Sequence, residues 1–241
     1  MPRTARIVIP ECPHHVVQRG NNRQDVFFVE DDRVVYLSML GEQAVRFGLT
    51  VQGYCLMTNH VHLVVTPAEE PSLAKAIGRT HWLYTRYINR LHGRVGHLWQ
   101  NRFFSCPLDE AHLWRAIAYA ERNPVRAGMV RMAWRHRWSN AAVHSGERRT
   151  DPSGLLDMAW WWSLQAPEAW REVLTAGEDD AALADFRRAL HRGRPLGSDR
   201  FIAKLEHALG RRLRPPPMGR PRKKRKPQTA GKRSGKESNK W

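Results

Sequence analysis

Residues 54–65 have the sequence YCLMTNHVHLVV, an apolar run that carries two histidines near its centre. Side chains at positions i and i+2 of a strand point to the same face. His60 and His62 are therefore expected to project side by side, while Val61 and Leu63 point to the opposite face. Neutral imidazole is the commonest metal ligand in proteins. The spacing predicts either part of a metal site or two polar residues on the wet face of a half-buried strand.

The sequence excludes three other kinds of histidine or cysteine site. A histidine-triad nucleotide hydrolase needs a third histidine at position 64, where this chain has Val64. A two-histidine phosphoesterase needs two His-x-Thr/Ser motifs, and none of the twelve histidines begins one. A structural zinc site needs closely spaced cysteines, whereas this chain has only the widely separated Cys12, Cys55 and Cys106.

A tyrosine later in the chain is a candidate partner for the histidine pair. Asp109 is a predicted N-cap for a helix that runs to about Arg122, and Pro124 is predicted to end or kink that helix. Tyr119 and Asn123 are four residues apart and would share one face of the helix. They would present a phenolic and an amide oxygen to a metal, unless they are simply a core tyrosine and an Asn-Pro turn.

Four motifs in the same order resemble the single-tyrosine His-hydrophobe-His (HUH) transposases. Residues 57–64 (MTNHVHLV) resemble the histidine strand of that family, and residues 98–105 (LWQNRFFS) resemble its next strand. Residues 119–130 (YAERNPVRAGMV) resemble the helix that carries the catalytic tyrosine, and residues 16–23 (VVQRGNNR) resemble the first strand and its exit loop. The similarity covers about residues 5–145 and is closest to the REP-associated tyrosine transposases.

The resemblance implies a role for each matching residue. His60, His62 and Asn123 would hold one divalent metal ion, Mg²⁺ or Mn²⁺, and Tyr119 would be the nucleophile. The implied function is a metal-dependent transposase or endonuclease that cleaves and rejoins single-stranded hairpin DNA through a 5′-phosphotyrosine. Two alternatives remain: a domesticated sequence-specific DNA-binding protein of the same fold that has lost cleavage, and an HUH replication initiator or relaxase-type nuclease.

The charge of the chain favours a polyanionic partner. Forty Lys and Arg residues face 23 Asp and Glu residues, which gives a formal charge of +17. Residues 211–241 hold thirteen of the basic residues and one acidic residue, a charge of +12, and are predicted to be a disordered basic tail. The candidate DNA contacts are Arg19, Asn21, Asn22, Arg23, Arg102, Arg126, Lys223, Lys224, Arg225 and Lys226.

Hydrophobic periodicity predicts a β-α-β-(β)-α-β order. The predicted elements are a strand at 14–19, a helix at 31–47, two strands or one bent strand within 49–65, a helix at 72–91 capped by Ser72, and a strand at 96–105. This is the order of a ferredoxin-like split βαβ α+β fold with an antiparallel sheet. Two helices would cover one sheet face, leaving the HUH active site on the open face.

Three segments are expected along the chain: a transposase domain at 1–145, a small helical C-terminal extension at 146–210, and the tail at 211–241. Tryptophans between residues 134 and 170 are expected to pack short helices, and base stacking is the alternative. The chain shows no apolar stretch of membrane-spanning length and no signal peptide. A cytoplasmic, nucleoid-associated bacterial protein is expected, as a monomer or homodimer.

Overall fold

The computed structural model describes residues 6–177 and 179–214 of the chain. At its centre is a four-stranded antiparallel sheet in the order β2-β3-β1-β4. The strands are His14–Arg19 (β1), Leu49–Leu56 (β2), His60–Pro67 (β3) and Phe104–Pro107 (β4). The first and third strands are neighbours at the centre of the sheet, as in a split βαβ arrangement. The predicted ferredoxin-like α+β fold is therefore confirmed.

Two long helices, Glu30–Phe47 (α1) and Glu70–Leu91 (α2), cover one face of the sheet. Val61, Leu63 and Val65 of β3 point to this face and are fully buried against the two helices. Alternation along the strand sends His60, His62 and Val64 to the other face. The predicted division of the sheet into a helix-covered face and a histidine face is confirmed.

A third helix, Glu110–Arg126 (α3), packs on the histidine face. Asp109 caps it as predicted, because its carboxylate accepts a hydrogen bond from the His112 amide at 3.0 Å. Of the two outcomes predicted for Pro124, an end or a kink of the helix, the first is wrong, since the helix continues to Arg126. The Met129 amide donates to the Pro124 carbonyl and the Gly128 amide to the Val125 carbonyl, which is the Schellman termination.

Two other sequence predictions differ from the structure. The strand expected at 96–105 is wrong for residues 96–103, because Gly96 and Asn101 adopt positive φ angles of 95° and 52°, which interrupt an extended backbone. The helix expected to begin at Ser72 begins at Glu70 instead. Glu69 is its N-cap, and Ser72 lies within the first turn, where its hydroxyl accepts a hydrogen bond from the Glu69 amide.

Five short α-helices follow α3 in the described part of the chain, and the first four share its core. They are Ala141–His144 (α4), Met158–Leu164 (α5), Pro167–Thr175 (α6), Asp180–Arg192 (α7) and Asp199–Leu209 (α8). Trp161 and Trp170 are each 1% exposed and lie in the same core as α3. The predicted packing role is confirmed for these two tryptophans. No helix within residues 6–177 and 179–214 is both long and apolar enough to cross a membrane.

The first residues of the predicted tail are packed rather than extended. Leu213 is buried with Ile7 and Leu205, and its amide donates to the Glu206 carboxylate at 2.7 Å. Disorder is therefore not observed for residues 211–214. The candidate DNA contacts Lys223, Lys224, Arg225 and Lys226 lie outside the residues that the structure describes.

A buried polar network joins α3 to the helices that follow it. The Glu121 carboxyl group of α3 contacts His144 Nδ1 of α4 at 2.5 Å and accepts a hydrogen bond from Trp170 Nε1 of α6 at 2.8 Å. The His144 ring stacks on Trp161 of α5, with ring centroids 3.4 Å apart. Buried polar groups need such partners because an unpaired one costs free energy. The network fixes the helix that carries Tyr119.

Trp170→Phe is expected to lower the free energy of unfolding by about 2 kcal/mol, because it leaves one buried Glu121 oxygen without its donor. Trp162→Phe is the matched control: Trp162 is 44% exposed, and its substitution is expected to change stability by less than about 0.5 kcal/mol. Urea denaturation of both variants measures the difference. Equal losses would show that the hydrogen bond to Glu121 contributes nothing specific.

Candidate active site

A pocket of about 360 Å³ lies between the histidine face of the sheet and α3. His60 and His62 line it from β3, and Tyr119 and Asn123 line it from α3. The ring centroids of His60 and His62 are 5.0 Å apart, and that of Tyr119 lies 5.7 Å from that of His62. The four predicted site residues are thus brought together, although they come from segments about sixty residues apart.

Both histidines of the pair are held in a form that suits a metal ligand. His60 Nδ1 donates to the Asn59 side-chain oxygen at 2.7 Å, which leaves His60 Nε2 with an available lone pair. Burial, with a smaller contribution from Arg19, lowers the pKa of His60 to about 4. Burial also holds the pKa of His62 well below its ordinary value, and the neighbouring His15 and His60 add to this effect. Both rings are therefore neutral at pH 7.

Arg126 connects the two helix residues of the site. Its Nη2 donates to the Tyr119 backbone carbonyl at 2.5 Å and to Asn123 Oδ1 at 2.8 Å. Its guanidinium carbon lies 4.3 Å from the centroid of the Tyr119 ring, within cation–π range. Because an amide oxygen has two acceptor lone pairs, Asn123 Oδ1 can accept this hydrogen bond and still coordinate a cation.

The donors present can hold one divalent cation with an incomplete protein shell. Within the described ranges, no three His, Cys, Asp or Glu side chains cluster to hold a metal ion. Two neutral imidazoles and one amide oxygen leave positions for water and for phosphate oxygens. In phosphoryl-transfer sites Mg²⁺ likewise keeps positions for water and substrate phosphates, although it usually takes carboxylates rather than imidazoles from the protein. The ligand roles of His60, His62 and Asn123 stay predictions.

Two parts of the site were not predicted from the sequence. His15 of β1 is 1% exposed, and its Nε2 lies 3.1 Å from His62 Nδ1. A hydrogen bond there orients the His62 ring and directs its Nε2 into the pocket. Helix α7 forms another wall with Arg187 and Leu190, and the Phe186 ring centroid lies 5.2 Å from that of Tyr119. The alternation of β1 could have indicated His15, but no signal identified α7.

The predicted DNA-contacting residues that the structure describes lie in three different places. Arg19 and Arg126 line the pocket itself. Asn21 and Arg102 line a neighbouring groove at the edge of the sheet. Asn22 and Arg23 are exposed in a 3₁₀ turn and have positive φ angles of 51° and 61°, so they shape the turn after β1 whether or not they contact DNA.

Residues 8–123 match the family model of IS200-like transposases, and this range contains all four predicted site residues. These residues form an IS200-like transposase domain. The expected family is thereby confirmed, and the domain is that of a DNA-processing enzyme. Helices α4 to α8 lie beyond the matched range. No curated protein matches the chain.

Two solved structures are similar to this chain. The structure of a REP-associated tyrosine transposase bound to a REP hairpin has a TM-score of 0.52 and 14% sequence identity, and the match covers 64% of this chain and 90% of that one. A putative transposase from Deinococcus radiodurans R1 is 20% identical, with a TM-score of 0.36 and coverage of 50% of this chain and 97% of that one. The first of these shares the fold of the transposase domain.

His15→Leu is expected to weaken Mn²⁺ binding by about tenfold to a hundredfold, because it removes the hydrogen bond that orients a ligand histidine. His15→Gln, which keeps a polar partner, is expected to restore part of that loss. Electron paramagnetic resonance of free Mn²⁺ measures the affinity without DNA. His14→Leu is the control, since His14 is equally buried and points to the opposite face. An equal loss in both variants would contradict a positioning role for His15.

Proposed function

We propose that this chain is a metal-dependent transposase that cleaves and rejoins single-stranded DNA beside a hairpin, through a 5′-phosphotyrosine on Tyr119. The observation that carries the proposal is the pocket in which Tyr119 faces the neutral pair His60 and His62. The ring centroids of the two histidines are 5.0 Å apart, and that of Tyr119 lies 5.7 Å from that of His62. A structure of the same fold is bound to a REP hairpin, which supports hairpin DNA as the partner.

The proposed chemistry is a transesterification at phosphorus. The Tyr119 oxygen attacks the phosphate and loses its proton, the bond to the 3′ oxygen breaks, and that oxygen leaves as a 3′-hydroxyl. The new tyrosyl phosphoester can be attacked by the 3′-hydroxyl of another strand, which rejoins DNA without ATP. A Mg²⁺ or Mn²⁺ ion held by His60, His62 and Asn123 would polarise the non-bridging phosphate oxygen.

Arg126 and Arg19 supply positive charge from two sides of the pocket. Arg126 donates to the backbone carbonyl of Tyr119 and lies over its ring, so it holds the tyrosine in place and adds positive charge beside it. Arg19 lines the pocket from the end of β1 and can pair with a phosphate oxygen. These two arginines are therefore positioned for the substrate phosphate and the nucleophile, rather than for the bases.

The burial of Tyr119 accounts for the proposed requirement for single-stranded substrate. Tyr119 is only 7% exposed, and the pocket that holds it is bounded by the sheet, α3 and α7. A phosphate can reach the tyrosine only if its backbone leaves the regular geometry of a duplex. A flexible unpaired strand can do this at little cost, whereas a duplex must first be unpaired.

Tyr119→Phe is expected to abolish the covalent protein–DNA adduct and to leave hairpin binding nearly unchanged, because it removes one oxygen and little volume. The assay incubates the protein with a hairpin that carries single-stranded flanks, taken from the DNA beside its own gene, and Mg²⁺ or Mn²⁺. A denaturing gel then detects the adduct. Tyr87→Phe, a half-buried tyrosine on α2, is the control and should keep full activity.

The same assay separates the proposed function from its alternatives. His60→Ala, His62→Ala or EDTA should abolish the adduct, and blunt duplex should be a poor substrate. A wild-type protein that binds the hairpin tightly but never forms an adduct would be a DNA-binding protein that has lost cleavage. An adduct that persists in Tyr119→Phe would assign the nucleophile elsewhere and overturn the proposal.

A further inference from the structure

A groove of about 1040 Å³ lies beside β4, the edge strand of the sheet. One of its walls is built by residues at the start of β4 and in the loop before it. The other is built by residues at the end of α7 and after α7 and α8. Arginines line both walls, and no Asp or Glu is found among the described residues that line the groove. We name it the arginine groove after its six members: Arg6, Arg102, Arg192, Arg194, Arg211 and Arg212.

The arginine groove concentrates like charges, because its described lining residues include six arginines and no acidic side chain. Arg6 donates to the Phe103 carbonyl at 3.2 Å and lies 3.7 Å from the centroid of the Phe103 ring. Burial, and to a smaller extent the charge of Arg102, lower the pKa of Arg6 to about 10. This value is still well above 7, so Arg6 stays charged at neutral pH. Such an arrangement favours an anionic ligand with several charges.

The rest of the chain does not supply that ligand. Residues 215–241 carry ten basic residues and one acidic residue, so their charge has the same sign as that of the groove. Mutual repulsion therefore excludes the tail as the occupant. A nucleic acid backbone, with one charge on each phosphate, matches a row of arginines far better.

Phe104 connects the arginine groove to the candidate active site. Its side chain lines both the groove and the pocket that holds Tyr119, and it is 48% exposed. Exposed aromatic rings beside a basic groove are the usual means of binding single-stranded DNA, because bases stack on them without regard to sequence. A strand that lies in the groove and passes over Phe104 would bring its next phosphates to Tyr119.

We propose that the arginine groove binds the single-stranded flank of the DNA substrate, with its arginines on the phosphates and Phe104 stacked on a base. This inference rests on the proposed function and identifies where the unpaired strand lies. Five of the six arginines fall outside the matched range 8–123. The chain has therefore added a strand-binding wall to an IS200-like transposase domain.

The test compares two variants that lose the same charge. The groove variant is Arg102→Gln/Arg192→Gln/Arg211→Gln, whose three arginines are all exposed. The control variant is Arg46→Gln/Lys75→Gln/Arg90→Gln, whose exposed residues lie on α1 and α2, across the sheet. Fluorescence anisotropy measures binding of a short labelled oligothymidylate over a series of salt concentrations, with no metal present.

The groove variant is expected to make the log–log salt dependence of binding shallower by about 2, since each lost contact to a single strand contributes roughly 0.7. At 0.1 M salt this corresponds to a loss of affinity on the order of a hundredfold. The control variant should show less than one unit of change. Equal changes in both variants would mean that only net charge matters, and the proposal would be overturned.

Two further measurements distinguish the ligand. Phe104→Leu should weaken oligothymidylate binding by roughly tenfold at every salt concentration, with an unchanged slope, because stacking releases no counterions. Blunt duplex should lose much less affinity than oligothymidylate in the groove variant. A loss that is larger for duplex would assign the groove to the hairpin stem, and unchanged binding of both DNAs would point to an acidic protein. Either result overturns the proposal.

This experiment can fail independently of the proposed function. Binding is measured without metal and without cleavage, so it does not depend on Tyr119. If the groove variant loses oligothymidylate binding but the wild type never forms an adduct, the groove is supported and the proposed cleavage is not. If the adduct forms and the groove variant binds as tightly as the control, Tyr119 chemistry stands and the strand lies elsewhere.

Discussion

The alternation of side chains along β3 is the constraint on which the packing on both faces of the sheet depends. Val61, Leu63 and Val65 bury one face of the sheet against α1 and α2, which commits the intervening residues to the other face. A shift of one residue in the pairing of β3 with β1 would exchange the two sets. The hydrophobic core therefore fixes the direction in which His60 and His62 point. The geometry of the candidate site depends on packing on the opposite face of the sheet.

The second requirement is that α3 be held rigidly on the histidine face. Val64 packs with Ile117 and Tyr119 in one core, and the network around Glu121 attaches the outer side of α3 to helices that follow it. Tyr119 thus has sheet on one side and later helices on the other. Residues beyond the family-matched range consequently hold Tyr119 in position and also surround the pocket.

Local signals predicted the parts of this arrangement that depend on local chemistry. The period-2 run at β3, the Asp109 cap and the spacing of Tyr119 and Asn123 all place their residues correctly. The errors fall where backbone geometry overrides the sequence pattern. Positive φ angles at Gly96 and Asn101 shorten β4, and the Schellman hydrogen bonds end α3 after Pro124 rather than at it. The alternation of β1 would have placed His15 on the histidine face, but α7 could not be predicted because contacts between distant segments bring it to the site.

Contacts between distant segments also determine which basic residues share one surface. A net charge of +17 suggested a polyanion, but composition cannot say which arginines share a surface. Folding returns the segment after α7 to the edge of β4, where the Leu196 amide donates to the Pro107 carbonyl at 2.8 Å. That contact sets Arg192 and Arg194 opposite Arg102 across the arginine groove. The edge of the sheet is thereby covered and becomes one wall of the arginine groove.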